Sequence, residues 1–272
     1  MNNDAIGVFD SGVGGLTAVK ELNRLMPNEN IVYFGDIARV PYGSRSKETI
    51  LRYAEQDIKF LKTKNVKMII AACGTVSSVV PTDFEREIKF TGVVTPAAQA
   101  ACCATNNNRI GIIGTSASIN SGAYMRAIKS LKPDAFIRGV ACPLFVPLVE
   151  NGFIERDNKI TRAVAELYLK SLIAAEVDTI IMGCTHYPII KDIIADVVGE
   201  KVRLISAGQE AAKLVYAELT ATGMLTDREE KGENQYFVSD STELFVENAK
   251  IFLEHPVNEG VFKVDIDTLT NL

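Results

Sequence analysis

Two cysteines sit at the ends of two copies of one pattern. The run Val66-Lys67-Met68-Ile69-Ile70-Ala71-Ala72-Cys73-Gly74-Thr75 returns as Val177-Asp178-Thr179-Ile180-Ile181-Met182-Gly183-Cys184-Thr185-His186, so an apolar, strand-like stretch stops at a thiol in each half of the chain. A lone cysteine on an apolar strand ordinarily behaves as a small hydrophobe, a reading that suits Cys102, Cys103 and Cys142. The duplicated context of Cys73 and Cys184 points elsewhere. Two thiols at the carboxyl ends of two buried strands, each followed by hydroxyl-bearing or basic neighbours, suit proton transfer from two sides of a shared cleft. A thiol of ordinary pKa, about 8.5, needs help to act as a base near neutrality. Asp10 and His186 are the candidate helpers. His186 lies just beyond Cys184, and Asp10 could orient a proton or bind a substrate ammonium, besides capping the loop that follows it. That loop, Ser11-Gly12-Val13-Gly14-Gly15, lies between a strand and a helix, where free backbone N–H groups suit a carboxylate or phosphate. It lacks the P-loop pattern, and Asp10-Ser11 makes it a poor dinucleotide fingerprint.

These residues need strands to carry them. Short apolar runs alternate with longer amphipathic stretches along the chain, as in β/α units on a mostly parallel sheet. Strands are expected at Ile6-Asp10, Ile31-Gly35, Met68-Ala72, Gly92-Val94, Ile110-Gly114, Phe136-Val140, Thr179-Met182, Val202-Ile205 and Gln235-Val238. Helices are expected at Leu16-Met26, Lys47-Lys62, Gln99-Thr105, Asn120-Leu131, Asn158-Ala175, Tyr187-Val198, Gln209-Thr222 and Thr242-Leu253. The polar run from Thr105 to Arg109 reads as a turn, after which Ile112-Ile113-Gly114-Thr115-Ser116 takes the place that Val8-Phe9-Asp10-Ser11 takes in the first half. The expected fold is α/β, with two similar domains, each a mostly parallel sheet flanked by helices, and the active site in the cleft between them. The first domain is expected at 1–94 and the second at 95–206, with a carboxyl-terminal segment, 207–272, returning to the first. Ligands of open α/β sheets sit beyond the carboxyl ends of the strands. Asp10-Ser11, Asp36, Cys73, Thr115-Ser116 and Cys184 all fall at such ends.

Composition narrows the classes of function. At 272 residues, 47% hydrophobic and 23% charged, the chain can bury a sizeable core and does not read as disordered. Its 29 basic and 34 acidic residues leave a net charge of -5, so no direct nucleic-acid contact is expected. Met1-Asn2-Asn3-Asp4 lacks the basic start and apolar segment of a signal peptide, and no apolar run is long enough for a bilayer; a cytoplasmic location without membrane contact is expected. Five cysteines, an odd number, point to free thiols. Two histidines and an adjacent Cys102-Cys103 pair offer no zinc spacing, so no metal is expected.

Several blocks in order carry a resemblance. Gly7-Val8-Phe9-Asp10-Ser11-Gly12-Val13-Gly14-Gly15-Leu16-Thr17, then Tyr33-Phe34-Gly35-Asp36 with Pro41-Tyr42-Gly43, then Ala72-Cys73 with Thr75, then Pro147-Leu148-Val149-Glu150, then Gly183-Cys184-Thr185-His186-Tyr187-Pro188 resemble the glutamate racemase family from about residue 6 to residue 210. The resemblance implies an isomerase of the aspartate/glutamate racemase superfamily that needs no cofactor and supplies D-glutamate for peptidoglycan. It implies that Cys73 and Cys184 act on opposite faces of the α-carbon, one as thiolate and the other as thiol, with roles exchanged by direction. By the same resemblance Asp10 assists Cys73, and His186 assists Cys184. Ser11, Pro41, Tyr42, Gly43, Gly74, Thr75 and Thr185 surround the amino acid, Glu150 has a supporting role, and Thr115 and Ser116 are further substrate contacts. Sulfurs that each reach one carbon at roughly 3–3.5 Å stand about 6–7 Å apart, far beyond the ~2 Å of a disulfide. Homodimers are common in the family, and some members bind DNA gyrase, although nothing in this chain specifically carries that second property.

One position departs from the family. Cys-Asn-Thr is usual at the first cysteine, where this chain has Cys73-Gly74-Thr75. A hydrogen bond to a charged partner is worth roughly 1.5–3 kcal/mol and about 1.4 kcal/mol is tenfold, so loss of the amide corresponds to one to two orders in affinity or rate. The alternatives are a racemase of aspartate or another acidic amino acid, or a weakly active or non-catalytic binding protein with a site altered at Gly74. The two cysteines weigh against a decarboxylase of the superfamily.

Overall fold

The computed structural model describes residues 3–265 apart from 82, 83, 85 and 86. The first half contains β1 (Ala5–Asp10), α1 (Leu16–Leu25), β2 (Ile31–Gly35), α2 (Lys47–Lys62), β3 (Val66–Ala71), α3 (Gly74–Ser77) and β4 (Lys89–Gly92). After α4 (Val94–Ala104) the order restarts with β5 (Arg109–Gly114), α5 (Ser116–Ser121), α6 (Ala123–Leu131), β6 (Phe136–Ala141), α7 (Phe145–Glu150), α8 (Lys159–Ala174), β7 (Thr179–Met182), α9 (Lys191–Val198) and β8 (Arg203–Ser206). Then come α10 (Ala207–Ala221), β9 (Asn234–Val238), α11 (Thr242–Leu253) and β10 (Val261–Lys263). Two sheets result, ordered β10-β9-β2-β1-β3-β4 and β6-β5-β7-β8, with every pairing parallel. The order β2-β1-β3-β4 recurs as β6-β5-β7-β8, which is the duplication visible in the sequence. β9 adds to the first sheet beside β2.

Strands covered on both faces read as unbroken apolar runs. β1, β2, β3 and β7 are buried along their whole length. Lys67 is the one charge in these four apart from Asp10. Its ammonium is buried against Glu29 Oε2 at 2.6 Å and the Met224 carbonyl at 2.9 Å, which ties the segment after α10 to β3. One apolar cluster runs from Leu16, Val19 and Leu22 of α1 through Ala97, Ala98 and Ala101 of α4 and Ala211 and Val215 of α10 to Ile180 and Ile181 of β7. α10 packs on both α1 and α4. The two sheets are therefore joined through one packed apolar core, to which α4 and α10 contribute mainly alanines. A second cluster, around Phe34, Ile50, Ile58, Leu61 and Ile69, lies beneath α2 on the other face of the first sheet. Among the described residues, no helix is long and apolar enough to cross a membrane.

Several elements differ from the sequence expectation. β4 ends at Gly92 instead of beginning there, because the Ser77 hydroxyl accepts the Val93 N–H at 3.1 Å and α4 starts at once. The helix expected at Asn120-Leu131 is two, α5 and α6, separated by Gly122 in the left-handed region at φ 67°. The helix expected from Tyr187 opens with a 3-10 turn, Tyr187–Ile190. Short α3 and α7 and three-residue β10 had no expected counterpart. Cys102 and Cys142 are buried, as a core reading requires, but Cys103 is exposed, since the next residue on a helix turns about 100° away from the face that buries Cys102.

The segment after β2 is held by a buried polar network. Arg39 Nε donates to Asp36 Oδ2 at 2.5 Å and Nη2 donates to Asp57 Oδ1 at 2.9 Å, while the Tyr42 hydroxyl donates to Asp36 Oδ2. Ser239, just beyond β9, donates to Asp36 Oδ1 at 2.8 Å and accepts the Ala38 N–H at 3.0 Å. Two buried carboxylates thus share one guanidinium. Burial and the Asp36 charge hold the Asp57 carboxyl well above the usual range despite Arg39. Removing one partner of a buried pair strands the other. Arg39→Met is expected to lower the unfolding free energy by about 3–5 kcal/mol in urea titration; a loss under about 1 kcal/mol, the worth of a surface pair, would show that the network does not hold this segment.

Candidate active site

The sequence-selected residues line one cavity of about 600 Å³. Asp10, Ser11, Pro41, Tyr42, Gly43, Cys73, Gly74 and Thr75 come from the carboxyl edge of the first sheet, and Thr115, Ser116, Glu150, Cys184, Thr185 and His186 from the second. Val40, Ser44, Pro143 and Val146 line it too and were missed, because they lie in connections or, for Val146, in the six-residue helix α7, too short to show a periodicity. Asp36, also placed at a strand end, does not line the cavity. It stands behind Tyr42, whose hydroxyl donates to it.

On the first wall, Asp10 closes β1 and is 1% exposed. Its Oδ2 accepts the Gly12 N–H at 3.1 Å, which fixes the glycine loop, and Oδ1 has no protein partner. Burial raises the Asp10 carboxyl, against the pull of the His186 charge and of N–H groups from Gly15 and Gly12. Cys73 follows β3 and stands as N-cap of α3. Its sulfur lies 3.4 Å from Ser11 Oγ. Burial, followed by the negative charge of Asp10, pushes the thiol up to about 12. A thiol so raised is neutral near pH 7.

The second wall is built differently. Cys184 Sγ lies 3.9 Å from His186 Nδ1, and His186 Nε2 lies 2.8 Å from Glu150 Oε1. Burial pulls the imidazole down, but its bonds to Cys184 and Glu150 and their charges outweigh burial and carry it up to about 10. His186 is thus an imidazolium near neutrality, able to exchange a proton with the neighbouring sulfur. Glu150, which taken alone reads as a solvated acid, is 42% exposed at the side chain and bonded to His186. Phe252 of α11 packs edge-on against the imidazole, with ring centres 5.1 Å apart. Its role was invisible in sequence because a long chain separation lies between the two rings. The remaining buried cysteine nearby, Cys142, is pushed up to about 12 by burial and donates to the Val140 carbonyl at 3.6 Å.

Direct contacts join the walls. Thr75 Oγ1 and Thr115 Oγ1 are 3.0 Å apart. Thr115 also caps α5, accepting the Ser118 N–H at 3.2 Å, so its hydroxyl is engaged within the protein. Thr17 of α1 donates to the Thr185 carbonyl at 3.1 Å. At Gly14 a side chain would force its neighbours aside: a Cβ there would lie 2.5 Å from His186 Nδ1. The arrangement can hold a small molecule between two thiols, each with its own acid–base partner.

Comparison with known proteins agrees with this geometry. The model of the Asp/Glu/Hydantoin racemase family matches residues 6–215. A glutamate racemase from Geobacter metallireducens is 40% identical, covering 97% of each chain. The crystal structure of a glutamate racemase isoform from Bacillus anthracis superposes with a TM-score of 0.92 at 33% identity, over 98% of this chain and 99% of that one. A glutamate racemase from Francisella tularensis, solved in complex with D-glutamate, gives a TM-score of 0.90 at 37% identity, over 98% of this chain and 100% of that one. The chain belongs to the Asp/Glu/Hydantoin racemase family, on its glutamate racemase branch.

Proposed function

We propose that this protein interconverts L- and D-glutamate by proton transfer between two thiols, without pyridoxal phosphate or metal. One observation carries the reading: Cys73 and Cys184 stand on different walls of one cavity, Cys73 beside Asp10 and Cys184 beside the His186–Glu150 pair. The relatives named above support glutamate as the substrate. One sulfur, as thiolate, takes the α-proton; the opposite thiol delivers its own proton to the far face of the resulting carbanion. The enzyme then holds its protons on the opposite side and is poised for the reverse reaction. Asp10 would assist Cys73, and His186 would give a proton to the Cys184 thiolate as imidazolium or, as neutral imidazole, take one from the Cys184 thiol. Ser11, Gly43, Thr75 and Thr185 would surround the amino acid, with Tyr42 acting through its ring and backbone. Supply of D-glutamate for peptidoglycan by a cytoplasmic homodimer completes this reading.

The experiment that tests it is α-hydrogen exchange in D₂O from L-glutamate and then D-glutamate, without added cofactor. Deuterium incorporation with loss of optical activity from both enantiomers is expected, and absence of exchange in folded, reduced protein would overturn the proposal. A positioned general acid or base contributes about 10²–10⁴ in rate. Cys73→Ala and Cys184→Ala are each expected to lower racemisation by at least about a hundredfold, and wild-type turnover in either would exclude the two-thiol mechanism.

His186 generates two further expectations. In His186→Asn, kcat should fall more from one enantiomer than from the other; kcat/KM must fall equally in both directions, because the equilibrium constant between enantiomers is one. Equal kcat losses would remove the assignment of His186 to Cys184. The second concerns stability. A folded-state pKa of about 10 against the ordinary 6.5 means that the imidazolium contributes stability fully below pH 6.5 and loses it as pH rises to about 10. The thermal midpoint of the wild type should therefore decline across that window more steeply than that of His186→Asn. Parallel curves would show that the buried imidazole is neutral.

A further inference from the structure

We propose that Gly74 is a positioning residue: its missing side chain makes room for the backbone carbonyl of Gly183, and this contact sets how closely the two cysteine-bearing loops approach. The inference rests on the reading that Cys73 and Cys184 act on one carbon. A Cβ built on Gly74 would overlap the Gly183 carbonyl oxygen, closer than the 3.0 Å that real Cβ atoms respect, and would lie 3.1 Å from the carbonyl carbon and 3.8 Å from Cys184 Cα. The atom that fills the place of an asparagine side chain here is thus a backbone oxygen of the opposite wall.

Neither side can retreat freely. The Gly183 N–H donates to the Ile113 carbonyl at 2.8 Å, and on its own side a Cβ would already meet Ile113 O and Tyr124 Cε2 at 3.0 Å. Gly74 opens α3, where its carbonyl accepts from Ser78 Oγ at 2.6 Å and from the Ser78 N–H at 3.1 Å. α3 is in turn anchored by Ser77, whose hydroxyl donates to the Ala71 carbonyl at 2.8 Å. Immediately beside the contact, the Thr75–Thr115 hydroxyl pair bridges the same two walls. An added side chain must either break that bridge or drive the Cys184 loop off β5. The glycine is therefore a requirement of this site, and restoring the asparagine usual in the family would damage it.

The test compares Gly74→Ala and Gly74→Asn with the wild type in glutamate α-hydrogen exchange, racemisation, thermal unfolding and alkylation of Cys73 and Cys184 by iodoacetamide. Displacing a reacting group by about 1 Å costs about a hundredfold in rate. Both variants should lose turnover on that scale while their thermal midpoints stay close to the wild type and the two thiols alkylate faster. Wild-type or higher turnover in either variant would overturn the proposal. If the variants do not fold, a crystal structure of the wild type with glutamate decides: the Gly183 carbonyl packed on Gly74 Cα supports the contact, and water or ligand between them overturns it. Exchange by the wild type is the control, because its absence removes the glutamate reading while the crystal structure still judges the contact.

Discussion

Two separate walls can act on one carbon only if their backbones come within a side chain's length of each other, and this close approach is the constraint on which the rest of the site depends. Side chains are obstacles to it. At Gly14 a single carbon would strike Thr185 and His186, and at Gly74 it would strike Gly183. Glycine's conformational freedom is not the point at these positions, since neither has a positive φ; what matters is the absence of a Cβ. Packing continues the approach away from the cavity, where Gly208 of α10 seats against Ala18 of α1, its Cβ position 3.3 Å from the alanine methyl. Small residues on α4 and α10 then lock the sheets at that separation through a close-packed interior, which transmits displacement instead of absorbing it.

Behind the walls lies a second layer that does not line the cavity. The Asp36–Arg39–Asp57 cluster fixes the turn carrying Pro41, Tyr42 and Gly43, and Ser239 extends it to the strand that the carboxyl-terminal part of the chain adds beside β2. Phe252 of the same part braces His186. Residues from beyond the repeated half-units therefore brace His186 on one wall and, on the other, the Asp36 that stands behind Tyr42. A cavity made by duplication alone would lack both supports.

Much of this was legible in the sequence, for physical reasons that differ between elements. Central strands such as Ile6-Asp10 and Thr179-Met182 announce themselves because burial on both faces demands continuous apolar runs, and ligands gather at their carboxyl ends by topology. β4 (Lys89–Gly92) and β10 (Val261–Lys263) are partly exposed edge strands and leave no such run. The split at Gly122 was missed because one glycine inside a periodic stretch is compatible with either a weak helix or a break. Cavity residues chosen from the duplicated motifs were legible as neighbours, but their hydrogen bonds were not. That Tyr42 spends its hydroxyl on Asp36, Thr115 on its helix cap, and Glu150 on His186 follows from side-chain directions that spacing alone does not encode.

The two walls are also unlike in the ionisable groups that stand beside their thiols. On one side a buried carboxylate faces a thiol whose proton is held tightly. On the other a buried imidazolium, itself held by Glu150, faces the second sulfur. In a pair of identical walls, a state with one thiol and one thiolate would be divided equally between two equivalent arrangements. Unequal partners break that symmetry. They leave Cys73 with a raised pKa beside Asp10 and set the His186 imidazolium beside Cys184. The same duplicated strand-and-loop unit thus gives its two cysteines different surroundings, because the residues packed behind each copy differ.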